Sequence, residues 1–286
     1  MAFTAFSGNT KAVEQHPRRQ GWVVLLLLAP GIAYMLLFFV APFIQLALTA
    51  LQAPAASGGI GQYVAALEFG NYWTALSEYW PHLVRSFIYA LTATIIGLLI
   101  SYPLAYLIGV KVRSKPMLQG ILLILVVAPF FISMLLRTLA WKSILPSELI
   151  GTHFSVIFGL VYNFIPFMVL PMFASLQALD LRLLEAGSDL YASPVTTFRR
   201  VTLPLSMPGI VSGTLLSFIP MSGDYVVASR EFLGGTSTAM IGNVIESNFL
   251  QTQNYPMAAA LSIMLMVIIL VMIATYVRKS GAEDLL

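Results

Sequence analysis

Few side chains in this 286-residue chain could do chemistry, and the most suggestive of them are carboxylates. Asp224 and Tyr225 close one apolar stretch, and Glu231 and Glu246 follow in the polar segment after it. Acids in that position attract cations. The faces of Tyr162, Phe164 and Tyr225, with Asn163 among them, could line a path for an alkylammonium solute, since aromatic rings attract such groups. Two readings of Asp224 stand side by side. Ionisable groups at membrane depth are costly and tend to mark a pathway, but Asp224 could equally form a structural ion pair with Arg137 or Arg230. Catalysis is poorly served. His16, His82 and His153 are scattered through a tail and two outer loops, and no His/Asp/Glu cluster has metal-ligand spacing. There is no cysteine, and no G-x-x-x-x-G-K-[ST] loop to cradle nucleotide phosphates. The expectation is a chain with no catalytic residues, no metal and no cofactor of its own.

A second constellation lies in "LLEAGSDLYASPVTTFRRVTLPLSMPG" (183–209), a polar segment between oily ones. Asp180 can cap a helix over 181–190 whose Leu183, Ala186 and Leu190 share a face. Ser193 before Pro194 is the start signal of a second helix running toward Arg200. Pro204 and Pro208 are expected to end it. Such a helix–turn–helix, mixed in charge, is either an ordinary amphipathic connector or a docking surface for another protein.

These residues must be positioned by elements that live in lipid. Hydrophobic residues make up 58% of the chain and charged ones 9%, far below the roughly one quarter of a soluble domain. Six stretches reach the roughly 20 mostly apolar residues that a membrane helix needs. They run over about 22–48, 84–110, 117–137, 154–177, 209–228 and 258–277, which predicts an all-α integral membrane protein with six transmembrane helices. The first follows Lys11, Arg18 and Arg19 but is too long for a signal peptide, so it reads as an uncleaved anchor. Prolines 30, 42, 103, 129, 166 and 171 inside spans predict kinked helices whose freed carbonyls neighbours must satisfy.

With the amino terminus inside, 11 of the 15 Lys and Arg fall on inner segments; only Arg85, Arg137, Lys142 and Arg230 lie outside or near outer helix ends. The positive-inside rule therefore places both termini in the cytoplasm. The expected organisation is a tail over 1–20, a membrane domain over 21–280 with the polar loop at 178–208, and a tail over 281–286. The outer segments carry six acids against four bases, a slightly acidic entrance that suits a cation.

The spacing within the polar loop resembles a known pattern. Glu185-Ala186 is followed 16 residues later by Val201, and 18 and 19 later by Leu203-Pro204. This is similar to the "EAA" loop of permease subunits of ATP-driven (ABC) importers, and implies their type I, MetI-like fold. "GLVYNFIPFMVLPMFASLQALD" (159–180), "LLRTLAW" (135–141), "MIGNVIESNFL" (240–250) and "YPMAAALSIMLM" (255–266) also resemble the spermidine/putrescine permeases of that family, and the first of that pair more than the second.

The resemblance implies that Glu185, Ala186, Gly187 and Asp189 form a coupling helix for a separate ATPase. Tyr191, Ala192, Ser193 and Pro194 would enter its cleft, and Leu203 and Pro204 would fix the return into the membrane. It also implies two ATPase subunits holding ATP and Mg, a second homologous permease, and an extracytoplasmic binding protein, all in a bacterial plasma membrane with no role for nucleic acid. The substrate pathway candidates are Asp224, Tyr225, Tyr162, Asn163, Glu231, Glu246 and Arg137. Two positions depart from the family pattern. Gly187 stands where alanine is usual, and Tyr191 where glycine is usual. A left-handed turn at Tyr191 would cost about 1–2 kcal/mol. Either the turn has another backbone, or the ring packs into the ATPase cleft; the second is preferred. The alternatives for the whole chain are an importer of another small solute (opine, amino-acid derivative or anion) and a stand-alone secondary transporter or channel.

Overall fold

The computed structural model describes residues 21–56, 58–189 and 191–279. Lys11, His16, Arg18, Arg19, Leu190 and the tail over 281–286 therefore lie outside the described residues. The chain forms two compact units that part between Leu46 and Ala47. The first contains α1 (Gly21–Met35) and most of α2 (Ala41–Ala50), joined by a widened π turn at Leu36–Val40. Residues Leu26–Ala50 are together long and apolar enough to cross a membrane.

The second unit opens with a two-residue antiparallel ladder, β1 (Ala53–Pro54) against β2 (Tyr63–Val64). Helices follow: α3 (Gly70–Tyr106), α4 (Pro116–Val127), α5 (Met134–Ile144), α6 (His153–Gln177), α7 (Arg182–Asp189), α8 (Pro194–Thr197), α9 (Leu203–Leu205), α10 (Met207–Ser222), α11 (Ile241–Glu246) and α12 (Tyr255–Lys279). Among the described residues four helices can span a membrane, or six if each of two sharply bent pairs is one span.

The bends correct the sequence expectation in three places. The span expected over 117–137 is broken: α4 ends, a 3-10 turn covers Ala128–Phe131, and α5 departs at 94°. Pro129 and the extended backbone at Ile132 cause this, since proline cannot continue the hydrogen-bond ladder. The span expected to begin at 84 starts instead at Gly70, and α3 carries Pro81 and His82 within it. His82 is thus helical rather than in an outer loop, and His153 begins α6, where its Nδ1 hydrogen-bonds to the Tyr89 hydroxyl. The span expected over 209–228 stops at Ser222, so Asp224 lies beyond the helix.

Helices α3, α6 and α10 pack as the centre of this unit. Tyr89, Ala90 and Ala93 meet Val156, Leu160 and Phe164 at one end, and Tyr102 and Ala105 meet Met168, Met172 and Leu176 at the other. Small residues permit the approach. A methyl group at Gly209 would lie 2.5 Å from the Ser175 Cβ and 2.7 Å from the Pro171 carbonyl oxygen. One at Gly213 would lie 2.9 Å from the Met168 carbonyl. Close backbone packing of this kind is what joins helices in lipid, where apolar burial alone gives no gain.

Candidate functional site

The loop over 182–205 is built from its own caps. The Asp180 carboxylate accepts the Arg182 N–H at 3.0 Å and opens α7. The turn that closes α7 is left-handed: Tyr191 has φ 55°, and the Ala192 N–H donates to the Gly187 carbonyl at 3.0 Å. That six-to-one bond and a left-handed residue together are the helix stop that glycine usually provides. The turn at Tyr191 thus has the glycine-like backbone, which removes the reading in which its conformation differs. The ring is 98% exposed and gains nothing from its own chain.

Ser193 then caps α8, accepting the Thr196 N–H at 3.2 Å, with Pro194 at the first helical position. The departure at Gly187 also has a physical cause. A Cβ there would sit 2.9 Å from Thr197 Oγ1 and 3.0 Å from its Cγ2, so α7 and α8 cross where only hydrogen fits. Glu185, Ala186 and Asp189 are exposed on α7, as is Leu183.

The second helix does not end at Pro204. It continues through a π turn at Phe198–Thr202 into α9, and the break comes at Ser206, where α10 leaves at 64°. The widened turn precedes Pro204 and relieves the clash its ring would make with the carbonyl four residues back. Leu203 is half-buried against the core cluster of Tyr102, Met172 and Leu176, and Pro204 is exposed. Ser206 is fully buried; its hydroxyl pairs with the Tyr102 hydroxyl at 2.8 Å and donates to the Leu203 carbonyl at 3.1 Å. The bend is thereby tied to α3.

On the other side, Asp224 is 6% exposed and holds its own turn. Its Oδ1 accepts the Val227 N–H at 2.8 Å and the Ala228 N–H at 3.3 Å. Among the described residues no ion pair joins it to Arg137 or Arg230, so that expected pairing is corrected: backbone donors take the place of a cation. Tyr225 is half exposed, and its carbonyl accepts from Asn243 Nδ2 at 2.6 Å. Phe164 belongs to the core.

Arg137 lies apart, between α5 and α6. It is 8% exposed, its guanidinium is 5.9 Å from the Tyr162 ring centre, and its Nε and Nη1 have no hydrogen-bond partner among the described residues. The neighbouring Asn163 donates to Thr138 Oγ1 at 3.2 Å and leaves its own Oδ1 unpartnered. The structure thus groups Arg137, Tyr162 and Asn163, and separately brings Glu231 and Glu246 to one cleft of about 510 Å³. Burial, and then the Glu231 charge, push the Glu246 carboxyl above the usual carboxylate range. Sequence reasoning missed Asn248, which lines the same cleft; its only signal was membership of the 240–250 stretch.

Comparison with known proteins shows what the chain as a whole is similar to. The family model described as "Binding-protein-dependent transport system inner membrane component" matches residues 97–278. A spermidine/putrescine transport system permease protein of Haemophilus influenzae is 40% identical over 206 residues, covering 66% of this chain and 70% of that one. Its Escherichia coli counterpart is 36% identical over 220 residues, covering 71% and 78%. A bacterial alginate ABC transporter, solved in complex with an alginate pentasaccharide-bound periplasmic protein, shares the fold. Its TM-score is 0.64 at 20% identity, covering 91% of this chain and 94% of that one.

Proposed function

The chain belongs to the family of binding-protein-dependent transport system inner membrane components, and from that premise we propose that it moves polyamines. It is a multi-pass permease subunit of an ABC importer in an inner membrane. The observation that carries the substrate class is the 40% identity to a relative named for spermidine and putrescine. Two carboxylates facing one outer cleft support it, because a polyamine presents only cations and N–H donors.

In this reading both termini are cytoplasmic, and two ATPase subunits, which hold the ATP and Mg, bind the inner loops. A second homologous permease completes the pathway, and an extracytoplasmic binding protein delivers the solute. Glu185, Ala186, Gly187 and Asp189 present α7 to the ATPase, and Tyr191, Ala192, Ser193 and Pro194 enter its cleft. Closure of the ATPase dimer pushes α7–α9 as one piece, since α7 and α8 are in close contact at Gly187 and Thr197. The push passes through Leu203 and Pro204 to the bend at Ser206 and, by the Tyr102 hydroxyl, to α3. Asp224 acts by holding the outer turn that carries Tyr225 and Glu231 in place.

Tagged protein in mild detergent should bring down an ATPase subunit, and the complex should take up labelled putrescine when ATP and the binding protein are supplied. Uptake by the isolated chain, driven by an ion gradient with no ATPase bound, would make it a secondary transporter instead. Arg137 favours one second reading. A buried cation with two free donors suits a carboxylate, so the solute could be an amino-acid derivative carrying both charges. Competition of putrescine uptake by such compounds separates the two.

A further inference from the structure

We propose that the cleft between the 229–231 loop and α11 is a binding site of this chain for one primary ammonium group, held by Glu231, Glu246 and the Asn248 amide oxygen. For its ligand the assignment rests on the polyamine reading above. The cleft, about 510 Å³, is walled by Tyr79 of α3, Ser229–Glu231, Asn243 and Glu246 of α11, and the π turn Ser247–Gln251. Pockets of several hundred Å³ with a few convergent polar groups are the usual form of a small-molecule site.

What matters is which wall groups are already engaged within the chain. Asn243 is engaged at both ends: Oδ1 accepts the Met240 N–H at 3.0 Å and Nδ2 donates to the Tyr225 carbonyl. Lys142 donates to the Glu231 backbone oxygen at 2.7 Å and to the Arg230 oxygen at 3.4 Å, which fixes the loop and occupies that cation on carbonyls. The Ser229 hydroxyl accepts the Glu231 N–H at 3.2 Å. Asn248 is 8% exposed, and its Nδ2 donates to the Val244 carbonyl at 2.9 Å. Its amide oxygen accepts nothing from the described residues. The acceptors left over are two carboxylates and the amide oxygen of the buried Asn248; the donors on the same lining are the Arg230 guanidinium, the Tyr79 hydroxyl and the Gln251 amide nitrogen.

An ammonium carries three donors and no acceptor, so it matches those acceptors. Arg230, exposed, is the one guanidinium in the lining, and two carboxylates outnumber it. Among the described residues no group of three or more His, Asp and Glu could hold a metal ion, which favours an ammonium over a divalent cation.

The ammonium could come from free polyamine or from a lysine of the docking binding protein, and the test separates the two. The complete transporter, in nanodiscs without binding protein, is titrated with labelled putrescine. The Glu231→Gln/Glu246→Gln double variant keeps shape and removes charge, so it should fold as wild type by size exclusion. Putrescine affinity should fall about tenfold or more in the variant. If putrescine binding holds but association with the substrate-free binding protein weakens by that factor, the ammonium is the partner's lysine. Wild-type values in both arms overturn the site. A wild-type transporter that takes up no polyamine at all defeats the polyamine reading instead, and the two failures are told apart by that uptake assay.

Discussion

The chain makes two polar excursions between apolar helices, the outer and the inner one in the proposed orientation, and they are held differently. The outer one, 223–252, is knitted into its own molecule. Val227, Leu233, Met240 and Ile241 are fully buried. Ser155 donates to the Leu233 carbonyl at 2.7 Å, Arg85 to the Ala239 carbonyl at 3.0 Å, and the Ile241 N–H to Ser86 at 2.7 Å. The inner one, 182–205, is held by its caps, by the α7–α8 crossing and by Phe198 and Leu203 against the core, and it leaves Leu183, Tyr191 and Val195 at 47%, 98% and 66% exposure. A stretch that buries its apolar groups, as 226–244 does while Tyr225, Phe249 and Leu250 stay exposed, folds for itself. One that displays them is shaped for something else. Substitutions at buried positions of the outer loop should therefore act on stability, and those at exposed positions of the inner loop on association.

The largest effect should come from Glu185→Lys. Reversing a charge at a desolvated docking surface costs about 2–5 kcal/mol of association. The ATPase should no longer co-purify, while the melting temperature of the solubilised permease should change little by comparison. A matching loss of thermal stability would mean that the inner loop also folds against its own chain, and the contrast would fail.

Gly242→Ala should do the reverse. Its Cβ would meet the Asp224 carbonyl oxygen at 2.6 Å, and backbone cannot yield as a side-chain tip can. Overpacking of this kind costs about 1–3 kcal/mol, so a drop of several degrees in melting temperature is expected, with ATPase co-purification intact in the protein that survives. Asp224 tests the same loop more finely. Asp224→Ala leaves two buried N–H groups without an acceptor, at about 1–3 kcal/mol. Asp224→Asn keeps the acceptor oxygen and should stay near wild type in both stability and uptake. Loss of polyamine uptake in a stable Asp224→Asn protein would show a charge requirement that the capping role does not explain.

Much of this contrast was legible in residue types. The Ser193-Pro194 cap, the Asp180 cap and the long apolar runs of α6 and α12 depend on neighbours in sequence, and local rules reach that far. The site was legible where chemistry is local, as in Glu185 beside Ala186 or Tyr191 in place of glycine. It was not legible where groups meet across the fold. Hydropathy could not show that α4 and α5 part at 94°, because both halves are apolar. Charge alone suggested an ion pair for Asp224, whereas the backbone of its own turn supplies the partners. Gly187 looked like a weak helix residue until Thr197 proved to lie against it.

Tyr191 carries the smallest expected effect and the sharpest use. Its left-handed backbone costs about 1–2 kcal/mol relative to glycine, and an exposed ring returns nothing within the chain. Tyr191→Gly should therefore make the isolated loop as stable as wild type or slightly more so. If the ring is an anchor in the ATPase cleft, the same change should weaken ATPase association several-fold, because tyrosines that fill partner pockets often carry binding energy beyond their number. Tyr191→Phe, which keeps the ring and loses the hydroxyl, should retain most of that association. Association that holds or improves with glycine would leave the strain without a return at the interface, and would move the docking surface from the turn to the α7 face around Glu185 and Leu183.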